Sequence, residues 1–278
     1  MTRIAVTGAQ GYIGRHVVAS LEKRGHDVLR IIHPASTGTD ENVVKLDILN
    51  ASSQELSTAL EGVESVVHLA WQAGFNHNDP SHLQNVMGHI EFINNLASAG
   101  IKDISIAGTM HEIGYHVGEV NENTACNPTN PYGIAKNFLR QVCFNLASKN
   151  DLSIKWLRMY YITGDDRHSN SIFTKILLAE DEGKKTFPLN SGEMLYDFIN
   201  VEELGLQIAT AALQNEVTGI INCCSGKPVS LRTAVERFIK ENGLSIKPEY
   251  NVFPSRSYDS PAVWGGSQKI QKIMNLNK

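Results

Sequence analysis

The chain of 278 residues has no uninterrupted apolar stretch near the roughly 20 residues that a bilayer-spanning helix needs. Arg3 leads at once into a strand-like run, not into the apolar core of a secretion signal. Both absences argue against a membrane protein and point to the cytosol. No block of five or more like charges occurs, and 25 basic against 29 acidic residues leave a net charge of −4. With no broad basic surface for a polyanion, nucleic acid is not an expected partner. The four cysteines, Cys126, Cys143, Cys223 and Cys224, form neither a CxxC pair nor a secreted disulfide spacing, and read as core or surface thiols. Ten histidines include no HxxxH or HExxH pair, so no metal site is expected.

What is present is a regular alternation of short apolar runs and amphipathic segments. "RIAVTG" reads as a strand, and "GYIGRHVVASLEKRG" then places Ile13, Val17, Val18 and Leu21 at helical spacing until Gly25 stops it. Strand-like "DVLRII", "NVVKLDI", "ESVVHLA", "KDISIAG" and "LSIKWLRM" follow, separated by helix-like "SSQELSTALEG", "HLQNVMGHIEFINNLASAG" and "PYGIAKNFLRQVCFNLASKN". Such alternation demands a parallel sheet with helices on both faces. The fold class is therefore α/β, a Rossmann-type doubly wound parallel sheet over residues 1–163. A smaller C-terminal α/β substrate lobe is expected over 164–278, with some later segments returning to the first domain.

"TGAQGYIG" sets Gly8, Gly11 and Gly14 three apart between a strand and a helix, the context in which a glycine turn receives a dinucleotide pyrophosphate at a helix N-terminus. Its candidate residues are Gly8, Gln10, Gly11, Tyr12, Ile13, Gly14 and Arg15. A carboxylate about 20 positions on is the usual reader of a ribose 2′-hydroxyl, but the second strand ends in "RIIHP". Arg15, Arg30 and His33 suit a 2′-phosphate instead, so NADP(H) is favoured, with NAD(H) the alternative.

Tyr132 and Lys136 stand four apart at the start of a predicted helix and share one face. An ammonium beside a phenol favours the phenolate, which gives the tyrosine the means to pass a proton to or from a carbonyl oxygen.

With the nucleotide turn and "YGIAK" together, the chain resembles the extended short-chain dehydrogenase/reductase family of nucleotide-sugar epimerases, dehydratases and reductases over nearly its whole length. "VVHLAW", "LDIL", "NVMGHIEFI", "LRMYYITG" and "YDFINVEEL" resemble further family segments. The resemblance implies cofactor contacts at Asp47, Ile48, Leu69, Ala70 and Asn85, and makes Tyr132 the acid/base, with Lys136 on the nicotinamide ribose. Lining up Gly114 with the family's Ser-Val-Tyr-Gly places Thr109 on the hydroxyl residue that holds the substrate oxygen.

The following residues bear on subclass. Dehydratases of the family carry Thr-Asp-Glu there, whereas this chain has Thr109, Met110 and His111, and methionine transfers no proton. "GTMHEIG" is closer to the Gly-Thr-x-x-Glu-Tyr-Gly variant among reductases of 4-keto-6-deoxy nucleotide sugars. The resemblance implies substrate contacts at Trp71, Thr109, Met110, His111, Tyr161, Tyr196 and Arg256, of which Tyr196 departs from the family's usual arginine. Reduction of the 4-keto group of a nucleotide-activated 6-deoxy sugar is the expected reaction. A 4-epimerase, a reductase of another carbonyl compound and a non-catalytic NADP(H) sensor are the alternatives. Helices near 82–99 and 131–149 are those through which the family forms homodimers.

Overall fold

The computed structural model describes residues 2–38, 42–254 and 260–276. Along the chain run β1 (Arg3–Thr7), α1 (Gly14–Lys23), β2 (Asp27–Ile32), β3 (Val43–Lys45), α2 (Ser53–Ala59), β4 (Ser65–His68), α3 (Ser81–Ser98) and β5 (Asp103–Thr109). Then follow a 3₁₀ turn (Met110–Glu112), β6 (Gly118–Val120), α4 (Pro131–Asn150), β7 (Ser153–Met159) and β8 (Tyr161–Thr163). The remainder is α5 (Ile172–Asp181), β9 (Thr186–Pro188), β10 (Leu195–Asn200), α6 (Val201–Ala212), β11 (Gly219–Cys223), β12 (Pro228–Ser230), α7 (Leu231–Glu241), β13 (Lys247–Glu249), β14 (Ala262–Gly265) and α8 (Gln268–Asn275).

Seven strands form one parallel sheet in the order β11-β7-β5-β4-β1-β2-β3, the Rossmann-type doubly wound arrangement. Central strands such as β1 and β4 are buried along almost their whole length, as strands covered on both faces must be. The order reverses between β1 and β4, and a crevice opens there at the carboxyl ends of the strands. Register sets Thr7 beside His68 and Thr109 beside Met159, so the residues that leave these strands converge at one edge.

A second sheet runs β12-β10-β14-β6, with β8 also on β10. It takes β6 from the first 163 residues, while β11 and its neighbours α6 and α8 lie on the large sheet, so the two layers exchange segments across that point. The second sheet hangs on a fully buried carboxylate, Asp197, which accepts from the backbone N–H groups of Ser225 (2.8 Å), Gly226 (2.9 Å) and Gly265 (3.1 Å) and from the Ser225 hydroxyl (2.6 Å). Three backbone donors on one anion lock the loop after β11 and the end of β14 to β10.

Candidate active site

The glycine turn leaves β1 at Gly8, whose φ is +67°, and closes with a 2.9 Å bond from Gly11 N to Gly8 O. A Cβ on Gly14 would lie 2.0 Å from Gly8 O, and one on Gly8 2.8 Å from Ala70 N, so the turn exists only with bare backbone at both. Helix α1 begins with no side-chain cap and no acid in its first turn, leaving its N–H groups for an anion. Beside it lies a cavity of about 600 Å³. Of the expected cofactor residues, Gly8, Gln10, Gly11, His33, Asp47, Ile48, Ala70 and Asn85 line it; Tyr12, Ile13, Gly14, Arg15 and Leu69 lie outside its lining, as do Tyr132 and Lys136. Trp71, expected on the substrate, is also part of the wall, together with Gln72 and with His89 of the "NVMGHIEFI" segment, neither of which was expected in the site. The donor set, backbone N–H groups at a helix end with an apolar slot beyond, fits a dinucleotide.

The two arginines proposed for a 2′-phosphate are engaged elsewhere, while His33 stays on the cavity lining. The Arg15 guanidinium pairs with Asp165 of the second lobe, and Arg30 pairs with Glu22. His33 Nδ1 accepts from Ala35 N at 3.2 Å. The preference for NADP(H) therefore finds no support: no arginine lines the cavity among the described residues. Tyr12 likewise turns to the second lobe, donating to Gly164 O at 2.5 Å.

Helix α4 starts sharply because Asn130 caps it, accepting from Gly133 N at 2.8 Å, and Pro131 occupies its first position. The next orphan N–H, that of Tyr132, donates to His77 O at 3.0 Å. Gly133 is required because a Cβ there would stand 2.3 Å from His111 O, and this close approach seats the 3₁₀ turn against α4. The result brings Thr109, Tyr132 and Lys136 together. The Thr109 hydroxyl is near enough to lower the Tyr132 phenol and accepts from His111 N at 3.2 Å. Burial pushes the Tyr132 phenol up to about 12, opposed by the Thr109 hydroxyl. Burial pulls the Lys136 ammonium down to about 7. The expectation that Lys136 lowers the phenol is not what the structure displays: its Nζ donates to Ala107 O at 2.8 Å and lies 3.7 Å from the Trp71 ring centroid.

"GTMHEIG" now divides by direction. Thr109 and His111 face the tyrosine, Met110 is buried in the core, and Glu112 turns the other way. Fully buried Glu112 accepts from Arg158 Nε at 2.7 Å and Trp156 Nε1 at 2.8 Å. Burial raises the Glu112 carboxyl and the Arg158 charge opposes it. The pair clamps the turn to β7.

Three histidines surround the phenol: His111, expected on the substrate, and His77 and His82, which the sequence left unmarked. His77 stacks on Tyr132 at 5.1 Å and 10°, His82 lies at 5.0 Å, and His111 at 6.0 Å, itself 4.0 Å from His77. Burial pulls His111 down to about 3, with His77 adding to the effect, and lowers His77, with His82 adding to it. Among the described residues no group of three or more His, Cys, Asp or Glu side chains is arranged to hold a metal ion. Tyr161 lies 6.4 Å from His111 and 4.3 Å from Tyr196, whose hydroxyl donates to Met194 Sδ at 3.2 Å. Arg256 lies outside the described residues.

A model of the NAD dependent epimerase/dehydratase family matches residues 4–224. The chain is 58% identical over 267 residues to the dTDP-6-deoxy-L-talose 4-dehydrogenase (NAD(+)) of Aggregatibacter actinomycetemcomitans, covering 94% of this chain and 98% of that protein. It is 26% identical over 297 residues to a UDP-glucose 4-epimerase of Corynebacterium glutamicum, covering 97% and 89%. Among solved structures, a UDP-glucose 4-epimerase from Stenotrophomonas maltophila with bound NAD and formylated UDP-arabinopyranose superposes with a TM-score of 0.85 at 18% identity, over 99% of this chain and 93% of that one. At that identity the likeness concerns fold alone.

Proposed function

The chain belongs to the NAD dependent epimerase/dehydratase family, and from that premise we propose that it moves hydride between NAD(H) and C4 of a nucleotide-activated 6-deoxy sugar, using Thr109, Tyr132 and Lys136. It is an enzyme of the short-chain dehydrogenase/reductase type. The observation that carries the finer reading is the buried Thr109–Tyr132–Lys136 cluster in a chain 58% identical to a dehydrogenase named for that chemistry.

The nicotinamide, when bound, accepts or supplies the hydride at C4. Tyr132 exchanges the proton on the C4 oxygen: its hydroxyl gives it up as a ketone is reduced, and its phenolate takes it as an alcohol is oxidised. Thr109 holds that oxygen with a hydroxyl able to donate and accept. Lys136 keeps two of its three N–H donors beyond Ala107 O for ribose hydroxyls. NAD is favoured over NADP, since Arg15 and Arg30 are spent on Asp165 and Glu22 and neither lines the cavity. Glu112 is not available for elimination of water, because its oxygens accept from Arg158 and Trp156.

Leu83 and Met87 on α3 and Ile134 and Phe138 on α4 are exposed apolar side chains at four-residue spacing on packed helices, which supports a homodimer through these two helices. A cytosolic setting is also part of this reading, with four free cysteines and no helix among the described residues long and apolar enough to cross a membrane.

Incubation with dTDP-6-deoxy-L-talose and NAD, followed by nicotinamide absorbance and product analysis, tests the reaction. Net NADH formation with a 4-keto product is expected. Exchange of C4 epimers with no net change in the cofactor would replace the dehydrogenase by an epimerase.

A further inference from the structure

A line of buried polar groups runs from the first strand to the cavity. Thr7 Oγ1 lies 2.8 Å from His68 Nδ1, and His68 Nε2 lies 3.0 Å from His89 Nδ1. Thr7 is fully buried, and His68 and His89 are 2% and 3% exposed. Packing fixes both rings: Trp71 stacks on His89 at 4.4 Å and 17°, and Phe92 lies 4.9 Å from His68.

The direction of every hydrogen in this line follows from its first member. A threonine hydroxyl has two lone pairs and one hydrogen. Thr7 Oγ1 accepts from Ala70 N at 3.2 Å and from Leu69 N at 3.2 Å, the latter N–H shared with the Thr7 carbonyl at 3.3 Å. Its hydrogen therefore goes to His68 Nδ1. A neutral imidazole that accepts at one nitrogen carries its proton on the other, so His68 Nε2–H donates to His89 Nδ1 and His89 keeps its proton on Nε2. Burial holds both rings in the neutral form this requires, pulling His89 down to about 3 and His68 well below its usual value. His89 lines the cavity one helical turn beyond Asn85, and no described residue accepts from its Nε2.

We propose that His89 is a cofactor-contact residue whose Nε2–H, held in that tautomer by Thr7 and His68, donates to an oxygen of the dinucleotide. This rests on the dinucleotide reading of the cavity. The acceptor is a pyrophosphate or a ribose oxygen, which share the same demand for one fixed donor.

His89→Phe preserves the stack on Trp71 and removes the Nε2–H donor, together with the Nδ1 that accepts from His68. Calorimetry with NAD, ADP-ribose and ADP on the wild type and this variant is the test, with His89→Gln as the conservative replacement that restores an N–H. Affinity for NAD falls about tenfold in the phenylalanine variant, the effect of one hydrogen bond to an anionic or hydroxyl oxygen, and recovers in part with glutamine. A matching loss for ADP assigns the acceptor to the ADP half, its pyrophosphate or its adenosine ribose; a loss confined to ADP-ribose and NAD assigns it to the second ribose. Equal affinities of wild type and H89F for all three overturn the inference alone. Failure of the wild type to bind NAD overturns the dinucleotide reading with it. Nitrogen-15 spectra of histidine-labelled protein, assigned through H68F and H89F, show Nε2–H on both rings; an Nδ1–H tautomer on either would also overturn it.

Discussion

Tyr132 stands between two walls made in different ways. The cofactor wall is built mainly from backbone: the turn at Gly8 to Gly14, the uncapped start of α1 and the exit of β4. The other wall is built from side chains, with His77, His82 and His111 around the phenol and Tyr161 and Tyr196 beyond. Backbone donors suit a ligand whose phosphates are invariant, while side chains can be exchanged to suit one sugar or another. The first wall breaks when an atom is added, and the second when a support is removed.

The largest effect on the second wall is expected from below it. Glu112→Ala leaves Arg158 buried without its counter-charge, and denaturant unfolding should show a loss of about 3–5 kcal/mol. A loss under about 1 kcal/mol would mean that the ion pair is not what clamps the turn. On the first wall, Gly14→Ala forces a methyl against Gly8 O. Calorimetric NAD affinity should drop by about tenfold to a hundredfold as charge-assisted phosphate contacts are displaced, with the thermal midpoint changed far less than in E112A.

Lys136 lies behind the cavity lining, against the Trp71 ring, and its test is a pH series. Its folded pKa of about 7 lies below the usual lysine value, so a buried positive charge penalises the folded state fully below pH 7. That penalty fades as pH rises from about 7 to about 10.5, where the unfolded lysine also loses its proton. Lys136→Met should abolish turnover, and its melting temperature relative to wild type should be highest below pH 7 and decline between pH 7 and 10.5. A difference that stays flat across that range would contradict the depressed value. The smallest effect concerns the outer faces of α3 and α4. Phe138→Glu should give monomers by light scattering, with each subunit folded; an unchanged dimer would place the contact elsewhere.

The same contrast explains what could be read before the structure. The glycine turn and the Tyr132–Lys136 pair are local patterns within one turn or one helix, and the structure sets them where their spacing implied. The side-chain wall is assembled from separated segments. Glu112 meets Arg158 across 46 residues, and His77 reaches Tyr132 from a loop with no marking pattern. Arg15 suits a 2′-phosphate in the sequence because its actual partner, Asp165, comes from the second lobe. Strands β6, β8, β9, β12 and β13 have only three residues each, too few for alternation to declare itself, and only their pairing makes them strands.

The central claim is that Tyr132 moves the proton while the backbone wall holds the cofactor. Tyr132→Phe, assayed for NAD reduction with dTDP-6-deoxy-L-talose and for NAD binding by calorimetry, separates the two most directly. Turnover should fall by about a hundredfold to ten-thousandfold with NAD affinity within about threefold of wild type. Turnover near the wild-type rate, or loss of both together, would contradict the account.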